Sequence, residues 1–288
     1  QDEIGVLGSG SDLDLEFATG SSVNVSTTGT GAIDLDGLGA LTLSDVDTVN
    51  GAITASSAGA LTVTDVASGT NGNIVLSTSS GDITGLATVN AGSGNVTLNS
   101  AGAIVDDGSS GTVITGGVLT ADAAGAITID STVTSANIST SAAGAVDLDE
   151  SDAITLTDVD TNDGSITVDA GGLITATDVV ASGGSGDSVT LSTTTGGAVA
   201  TLVTGADAVS ITANAGDITI GSVTATLGTL GVTATAGSIN DAADDNTADF
   251  TAGGLITLTA QDEIGVLGSG SDLDLEFATG SSVNVSTT

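Results

Sequence analysis

The chain of 288 residues carries 36 Asp and Glu side chains and no Lys, Arg or His, which gives a formal net charge of −36. This composition excludes ion pairs between side chains, and it excludes the cationic phosphate contacts by which proteins bind nucleic acid. Cys, Met, Trp, Tyr and Pro are also absent, so catalysis by Cys, His or Lys side chains and Cys/His zinc sites are excluded as well.

The chain is nevertheless apolar enough to fold. Hydrophobic residues make up 39% of it and the mean hydropathy is +0.41, whereas disordered chains combine high charge with low hydropathy. Because Phe, with three copies, is the one aromatic residue type present, the core has to be built from small and branched side chains, which predicts a thin core. We expect no membrane span in this part of the chain, because no apolar run reaches about 18 residues.

Short segments in which apolar and polar residues alternate recur along the whole chain. Ile33-Asp34-Leu35 and Leu41-Thr42-Leu43 are early examples, and Ile154-Thr155-Leu156 and Ile218-Thr219-Ile220 are later ones. A period of two is typical of β-strands with one buried face. Turn dipeptides such as Asn50-Gly51 separate the segments, and the abundance of Gly, Thr, Val and Ser disfavours helix.

The apolar segments form two interleaved series, and each series takes thirteen steps to cover 260 residues, which gives a mean period of 20. The first series consists of Leu13, Ile33, Ile53, Ile74, Val96, Val118, Ile138, Ile154, Leu173, Val199, Ile218, Ile239, Leu255 and Leu273. The second series consists of Ile4, Val23, Leu41, Leu61, Ile83, Ile104, Ile127, Val146, Ile166, Val189, Val209, Leu230, Phe250 and Ile264.

This period predicts an all-β fold, a right-handed parallel β-solenoid (β-helix) of about 20 residues per coil and 13 coils per 260 residues. Each coil is expected to lie about 4.8 Å above the previous one, so that equivalent side chains form ladders. A sandwich of hairpins is the alternative, but the return of like residues favours the stacked coil. A third short strand fits residues 46–49 and Val66, and the pattern leaves a flat or a three-sided cross-section open.

A longer repeat is superimposed on the short one. Residues 1–28 return letter for letter as residues 261–288. We therefore interpret residues 1–260 as one full tandem repeat of a continuous β-solenoid and residues 261–288 as the start of the next identical repeat. A self-contained protein with two identical ends is the alternative.

The repeated phrases carry a family resemblance. The segments GAITIDSTV at residues 125–133 and GDITIGSVTA at residues 216–225 resemble the repeat regions of large secreted bacterial surface proteins of the filamentous-haemagglutinin type. The resemblance lies in the style of the repeat and covers essentially all of the chain. It implies an extracellular β-helix that acts as a long shaft on a bacterial or archaeal cell surface.

Two acidic corners are candidate sites for a divalent cation, with Ca²⁺ the first choice because hard cations prefer carboxylate, amide and backbone oxygens. Residues 158–164, DVDTNDG, resemble a calcium loop of the EF-hand type, although Gly comes one position late and no helix flanks the segment. Residues 45–51, DVDTVNG, occupy the equivalent corner of another coil. The candidate metal ligands are Asp45, Asp47, Asn50, Asp158, Asp160, Asn162 and Asp163. The alternative is a solvated acidic face that keeps the molecules apart.

Other functions have weaker support in the sequence. The carboxylates within residues 147–152 have no basic or aromatic neighbours that would hold a sugar, so a glycosidase is disfavoured and we expect no enzyme. Threonine pairs such as Thr62 and Thr64 resemble the flat face of ice-binding solenoids, but they occur in some coils only.

The sequence therefore predicts an extracellular structural filament or stalk segment, an acidic rod without enzymatic activity. Its expected partners are other copies of itself and divalent cations, and neither nucleic acid nor membrane. The alternative is a calcium-dependent adhesin shaft whose ligand-binding tip lies elsewhere in the protein.

Overall fold

The computed structural model describes residues 13–15, 22–111, 113–243, 247–265, 272–278 and 281–288. Within these ranges the chain is an all-β parallel solenoid of about 12 turns, with about 21 residues per turn and no helix. The predicted fold class is confirmed. The chain divides into two compact units, residues 1–141 and 142–288.

Fourteen strands begin in the described part of the first unit, and the last of them ends two residues beyond its boundary. They are β1 (Leu13–Leu15), β2 (Val23–Ser26), β3 (Ile33–Gly37), β4 (Leu41–Asp47), β5 (Ile53–Ser57), β6 (Leu61–Val63), β7 (Asp65–Ala67), β8 (Ile74–Thr78), β9 (Ile83–Leu86), β10 (Thr88–Asn90), β11 (Val96–Ser100), β12 (Ile104–Asp106), β13 (Ile114–Ala123) and β14 (Ile127–Ala143).

Fifteen strands begin in the described part of the second unit. They are β15 (Val146–Glu150), β16 (Ile154–Asp163), β17 (Ile166–Ala170), β18 (Ile174–Ala176), β19 (Val179–Ala181), β20 (Val189–Thr193), β21 (Ala198–Gly205), β22 (Val209–Ala213), β23 (Ile218–Ala225), β24 (Leu230–Ala234), β25 (Ile239–Asp241), β26 (Phe250–Ala252), β27 (Ile256–Ala260), β28 (Leu275–Phe277) and β29 (Val283–Thr287).

Ladders of like apolar side chains form the core of each unit. Ile33, Ile53 and Ile74 occupy equivalent positions of β3, β5 and β8 in parallel register, and all three are fully buried. Each Ile or Leu buried in this way contributes about 1.5–3 kcal/mol relative to an exposed side chain. A turn is therefore stabilised mainly by the turns directly above and below it.

Each turn contains three strand segments. In the first unit the third series consists of Val46, Val66, Val89 and Ile114. In the second unit it consists of Val159, Val179, Val203, Val223, Phe250 and Leu275. The strand considered at Val46 and Val66 is thus present, whereas Val49 is exposed beyond the end of β4.

The structure corrects the predicted core at three Gly-Gly pairs. The sequence analysis placed Val118, Leu173 and Leu255 in the core, but Val118 is 38% and Leu173 is 41% exposed, and Leu255 is half-buried. The following residue holds the core position in each case, namely Leu119, Ile174 and Ile256.

Close backbone packing explains this shift. A Cβ atom on Gly172 would lie 2.9 Å from the backbone nitrogen of Ala153, and one on Gly254 would lie 2.8 Å from the carbonyl oxygen of Gly228. The glycine pairs therefore lie against the backbone of the preceding turn. β18 and β27 therefore begin one residue later than the first apolar side chain suggests, whereas β13 continues through its glycine pair and only the buried position shifts by one residue.

Further corrections concern the assignment of strands to series. Ala198, and not Val199, pairs with Ile174, so Ala198 holds the core position. Near the end of the chain the observed partners are Phe250 with Val223, Ile256 with Leu230, and Ile264 with Ile239. The predicted sequence of partners was wrong here, because two series were assumed where each turn has three. The predicted position Ile4 lies outside the described residues.

Candidate functional site

The first acidic corner lies on β4 in the first unit. Asp45 and Asp47 flank the buried Val46, so their side chains share the outer face of one strand. Asp65 opens β7, the strand that pairs with this part of β4. On the opposite side, the side-chain amide of Asn24 donates a hydrogen bond to Asp45 Oδ2 at 2.9 Å. The structure thus brings two predicted ligands together and adds Asp65 to them.

The carboxyl groups of this corner ionise at higher pH than an ordinary aspartate does. Burial, a hydrogen bond to the Asp45 side chain and the negative charges of Asp45 and Asp65 raise the pKa of Asp47 to about 6. Burial and the charge of Asp45 also raise the pKa of Asp65. Because no cationic side chain exists in the chain, protonation as the pH falls is the way in which the protein itself can relieve the repulsion.

The second acidic corner lies in the second unit and also consists of two aspartates on either side of a buried valine. Asp158 and Asp160 flank the buried Val159 on β16, and Val159 pairs with Val179 in β19. Burial, the charge of Asp158, a hydrogen bond to the Asp158 side chain and the charge of Asp178 raise the pKa of Asp160 to about 6. Asp178 Oδ1 is buried and has no hydrogen-bond partner among the described residues.

The other predicted ligands have different surroundings. Asn50 Oδ1 accepts hydrogen bonds from the Thr70 hydroxyl at 3.0 Å and from the Asn71 amide at 3.1 Å. Asn50 therefore links its turn to the next one in the stack. Asn162 and Asp163 are exposed at the end of β16.

The described residues contain no group of three or more acidic side chains arranged to hold a metal ion. An ion at either corner would therefore have to recruit oxygens other than these carboxylates or move them closer together. The calcium site stays a prediction.

Buried hydroxyl groups explain part of the same sequence motif. The Thr48 hydroxyl donates to the Gly51 carbonyl oxygen at 2.8 Å and accepts from the Gly51 amide at 2.9 Å. Thr161 donates in the same way to the Gly164 carbonyl oxygen. In DVDTVNG and DVDTNDG, the threonine and the glycine thus form a closed turn, and the aspartates face outward before it.

This Thr-x-x-Gly turn was not predicted from the sequence. Two further examples are Thr78 with Gly81, at 2.9 Å, and Thr193 with Gly196, at 2.5 Å. The threonines are buried, so they satisfy turn carbonyl groups that water does not reach. The recurring spacing of threonine and glycine was the available signal.

A third perturbed carboxyl group, that of Asp249, was also overlooked. The Asp274 amide donates to Asp249 Oδ2 at 2.7 Å. Burial outweighs this hydrogen bond and, with the charges of Asp241 and Asp274, raises the pKa of Asp249 to about 6. Asp249 precedes the buried Phe250, and the sequence pattern offers no sign that its side chain is buried.

The chain was compared with protein families, curated proteins and solved structures, and none of them matches it. The parallel β-solenoid is compatible with a β-helix repeat protein. Among the described residues, no helix is long and apolar enough to cross a membrane.

Proposed function

We propose that this chain is a segment of an extracellular structural filament or stalk, an acidic rod without enzymatic activity. The observation that carries the proposal is the stacking of like turns through parallel ladders in both units, combined with the identity of residues 1–28 and 261–288. Such a fold can be lengthened by adding turns without any change in the contacts of the existing ones.

Membership of the filamentous-haemagglutinin type and a location at the cell surface belong to the same proposal. They are supported by the repeat phrases at residues 125–133 and 216–225 and by the solenoid fold that both phrases adopt. Antibodies raised against residues 142–288 should label intact cells of the source organism. Labelling that requires permeabilised cells would contradict the surface location.

Electron microscopy of polypeptides with one, two and three repeats tests the filament directly. A repeat of 260 residues at about 21 residues per turn and about 4.8 Å per turn spans about 60 Å. We expect particle length to grow by this increment for each repeat at constant width. Particles that widen instead would contradict the filament.

A calcium-dependent adhesin shaft, with its ligand-binding tip elsewhere in the protein, is the second proposed function. It is supported by the gathering of Asp158, Asp160 and Asp178 and by the uncompensated buried oxygen of Asp178. A cation there would neutralise charges that no side chain of this protein can neutralise.

Thermal melts with and without calcium test this second function. Calcium should raise the Tm of the wild type by ligand linkage, and Asp158→Asn with Asp160→Asn should abolish most of that rise. The matched control is Asp147→Asn with Asp262→Asn, which removes the same charge from exposed positions. If chelation leaves the wild-type Tm unchanged, the acidic corners are solvated carboxylates and no calcium site.

A further inference from the structure

One strand sequence occurs twice in the described residues, once near each end of the chain. Residues 22–28 and residues 282–288 both read SVNVSTT. The first copy contains β2 (Val23–Ser26) and the second contains β29 (Val283–Thr287). The two copies pair with different neighbours, so their contacts can be compared residue by residue.

The second copy pairs with the turn that precedes it. Val283 lies opposite Ile256 and Val285 lies opposite Leu258 in β27. The Ser282 carbonyl oxygen accepts a hydrogen bond from the Ile256 amide at 3.0 Å, and the Thr288 amide donates to the Ala260 carbonyl oxygen at 3.1 Å. Even-numbered residues of the segment therefore face the preceding turn.

The first copy pairs with the turn that follows it. Asn24 lies opposite Asp45 and Val25 lies opposite Val46 in β4. The Thr27 amide donates to the Asp47 carbonyl oxygen at 2.9 Å. An odd-numbered residue makes this bond, as expected because successive residues of a strand direct their amide and carbonyl groups to opposite edges.

The two copies therefore use complementary edges of the same strand. Ser282 and Thr288 of the second copy correspond to Ser22 and Thr28 of the first copy, whereas the first copy bonds through Thr27. These hydrogen bonds to the preceding and the following turn therefore use different backbone groups. In both arrangements the two valines lie opposite buried residues of the neighbouring turn. A single copy can satisfy both neighbours at once.

The exposure of equivalent valines differs between the two copies. Val23 is 4% exposed, whereas its equivalent Val283 is 38% exposed and Val285 is 53% exposed. Val285 also lines an apolar cleft of about 220 Å³ together with Leu258 and Leu275. An open strand edge beside exposed apolar side chains is a surface that invites pairing with another strand.

We propose that this surface binds a second copy of the repeat, through the turn equivalent to residues 33–47, in the register that β2 and β4 already show. Asn284 then lies opposite the following copy's Asp45, and Val285 opposite its Val46. The side-chain amide of Asn284 donates to that Asp45, as Asn24 does here at 2.9 Å. This inference rests on the proposed filament and specifies how one repeat joins the next.

Disulfide trapping tests the register, and the chain contains no native Cys to interfere. The test polypeptide is the full chain extended after Thr288 by residues 29–288, with Asn284→Cys and, in the added repeat, Asp45→Cys. Neighbouring strands at about 4.8 Å allow a disulfide. The reference is Asn24→Cys with Asp45→Cys in the 288-residue chain, a pair whose side chains already touch.

The matched control keeps Asn284→Cys and combines it with Asp65→Cys in the added repeat, where Asp45 is left unchanged. Asp65 lies one turn further from Asn284 than Asp45 does. At a spacing of about 9.6 Å the control pair is too distant for a disulfide. We expect the test pair to oxidise as fully as the reference and at least tenfold more than the control. Test and control pairs that oxidise equally, while the reference forms its disulfide, overturn the proposed register.

Hydrogen exchange on the unsubstituted polypeptides gives an independent readout. The amides of Val283, Val285 and Thr287 should exchange freely in the 288-residue chain and become protected in the extended one. Unchanged exchange in the extended chain overturns the junction.

If particles lengthen by about 60 Å for each repeat while the junction pair stays reduced, the junction is wrong and the filament stands. If the disulfide forms without lengthening, the junction stands and the filament is wrong.

Discussion

At the scale of single residues, the protein holds acidic side chains close together without cationic partners. Asp47 and Asp160 each share a strand face with a second aspartate, and both have a pKa of about 6. A carboxyl group whose pKa is raised in the folded state stabilises the fold most at low pH. That stabilisation is lost as the pH rises from about 4, the ordinary pKa, to about 6.

The variant Asp47→Asn tests this linkage. Removal of the titrating group should flatten the fall of Tm between pH 4 and pH 7, and at pH 7 it should raise Tm by roughly 1–3 °C, the effect of under about 1 kcal/mol at a half-exposed site. Calorimetric melts across this pH range provide the measurement.

Asp107→Asn is the control for total charge. Asp107 is exposed, and hydrogen bonds from Ser109 lower its pKa. The control should keep the wild-type slope between pH 4 and pH 7. Parallel curves for Asp47→Asn and the wild type would show that the corner is ionised independently of its neighbours.

The buried threonine of the Thr-x-x-Gly turn is a second feature at the residue scale. Thr48→Val preserves shape but leaves the buried Gly51 amide and carbonyl groups without the hydroxyl. We expect a loss of about 1–3 kcal/mol in the free energy of unfolding. Urea unfolding measures it, and the exposed Thr64 provides the control: Thr64→Val should change stability by less than about 0.5 kcal/mol.

At the scale of elements, each strand is held by its equivalents in the neighbouring turns. The third series of the second unit shows how much size variation the core accepts, because it passes from Val223 to Phe250 to Leu275. Phe250 is fully buried. A large ring is accommodated where the neighbouring turns contribute smaller side chains.

Phe250→Ala should therefore create a cavity and lower the free energy of unfolding by about 3–5 kcal/mol. Phe277, which is 43% exposed in β28, provides a control of identical chemistry. Phe277→Ala should cost less than about 1 kcal/mol, because a large part of the Phe277 side chain already contacts solvent and its removal leaves no enclosed cavity. Equal losses for the two variants in chemical unfolding would mean that Phe250 is not packed as the structure shows.

At the scale of the whole molecule, protease resistance should follow from composition and burial together. Trypsin has no Lys or Arg to cleave after. Of the five glutamates, Glu3 and Glu16 lie outside the described residues, and the described sites for a glutamyl endoprotease are the buried Glu150 and the exposed Glu263 and Glu276. Since cleavage requires local unfolding, we expect early products cut at the two exposed sites. Mass spectrometry of a time course identifies them, and early cleavage after Glu150 would contradict its burial in β15.

Much of this architecture could be predicted from the sequence, because successive turns of a solenoid use the same pattern of strands and buried residues. The alternation at Ile33-Asp34-Leu35 and its return at Ile53 were sufficient to predict parallel ladders with the observed partners. The placement of two aspartates on one face at each acidic corner could also be predicted, since residues i and i+2 of a strand share a face, while the calcium site stays a prediction. The Gly-Gly register shifts were not predictable from alternation, which does not show which of two adjacent apolar residues turns inward.

The sequence by itself determined that this protein is all-β, repeats about every 20 residues, and has no side chain to balance its carboxylates, because period and composition are properties of the chain alone. The tertiary structure decided which atoms meet. Burial, the neighbouring Asp45 and the charge of Asp65 together raise the pKa of Asp47, and Asp65 is eighteen positions away in the chain but one turn away in the stack. Stacking likewise decides that Val23 is buried while the identical Val283 is exposed, since a strand is covered only when its neighbouring turn is in place.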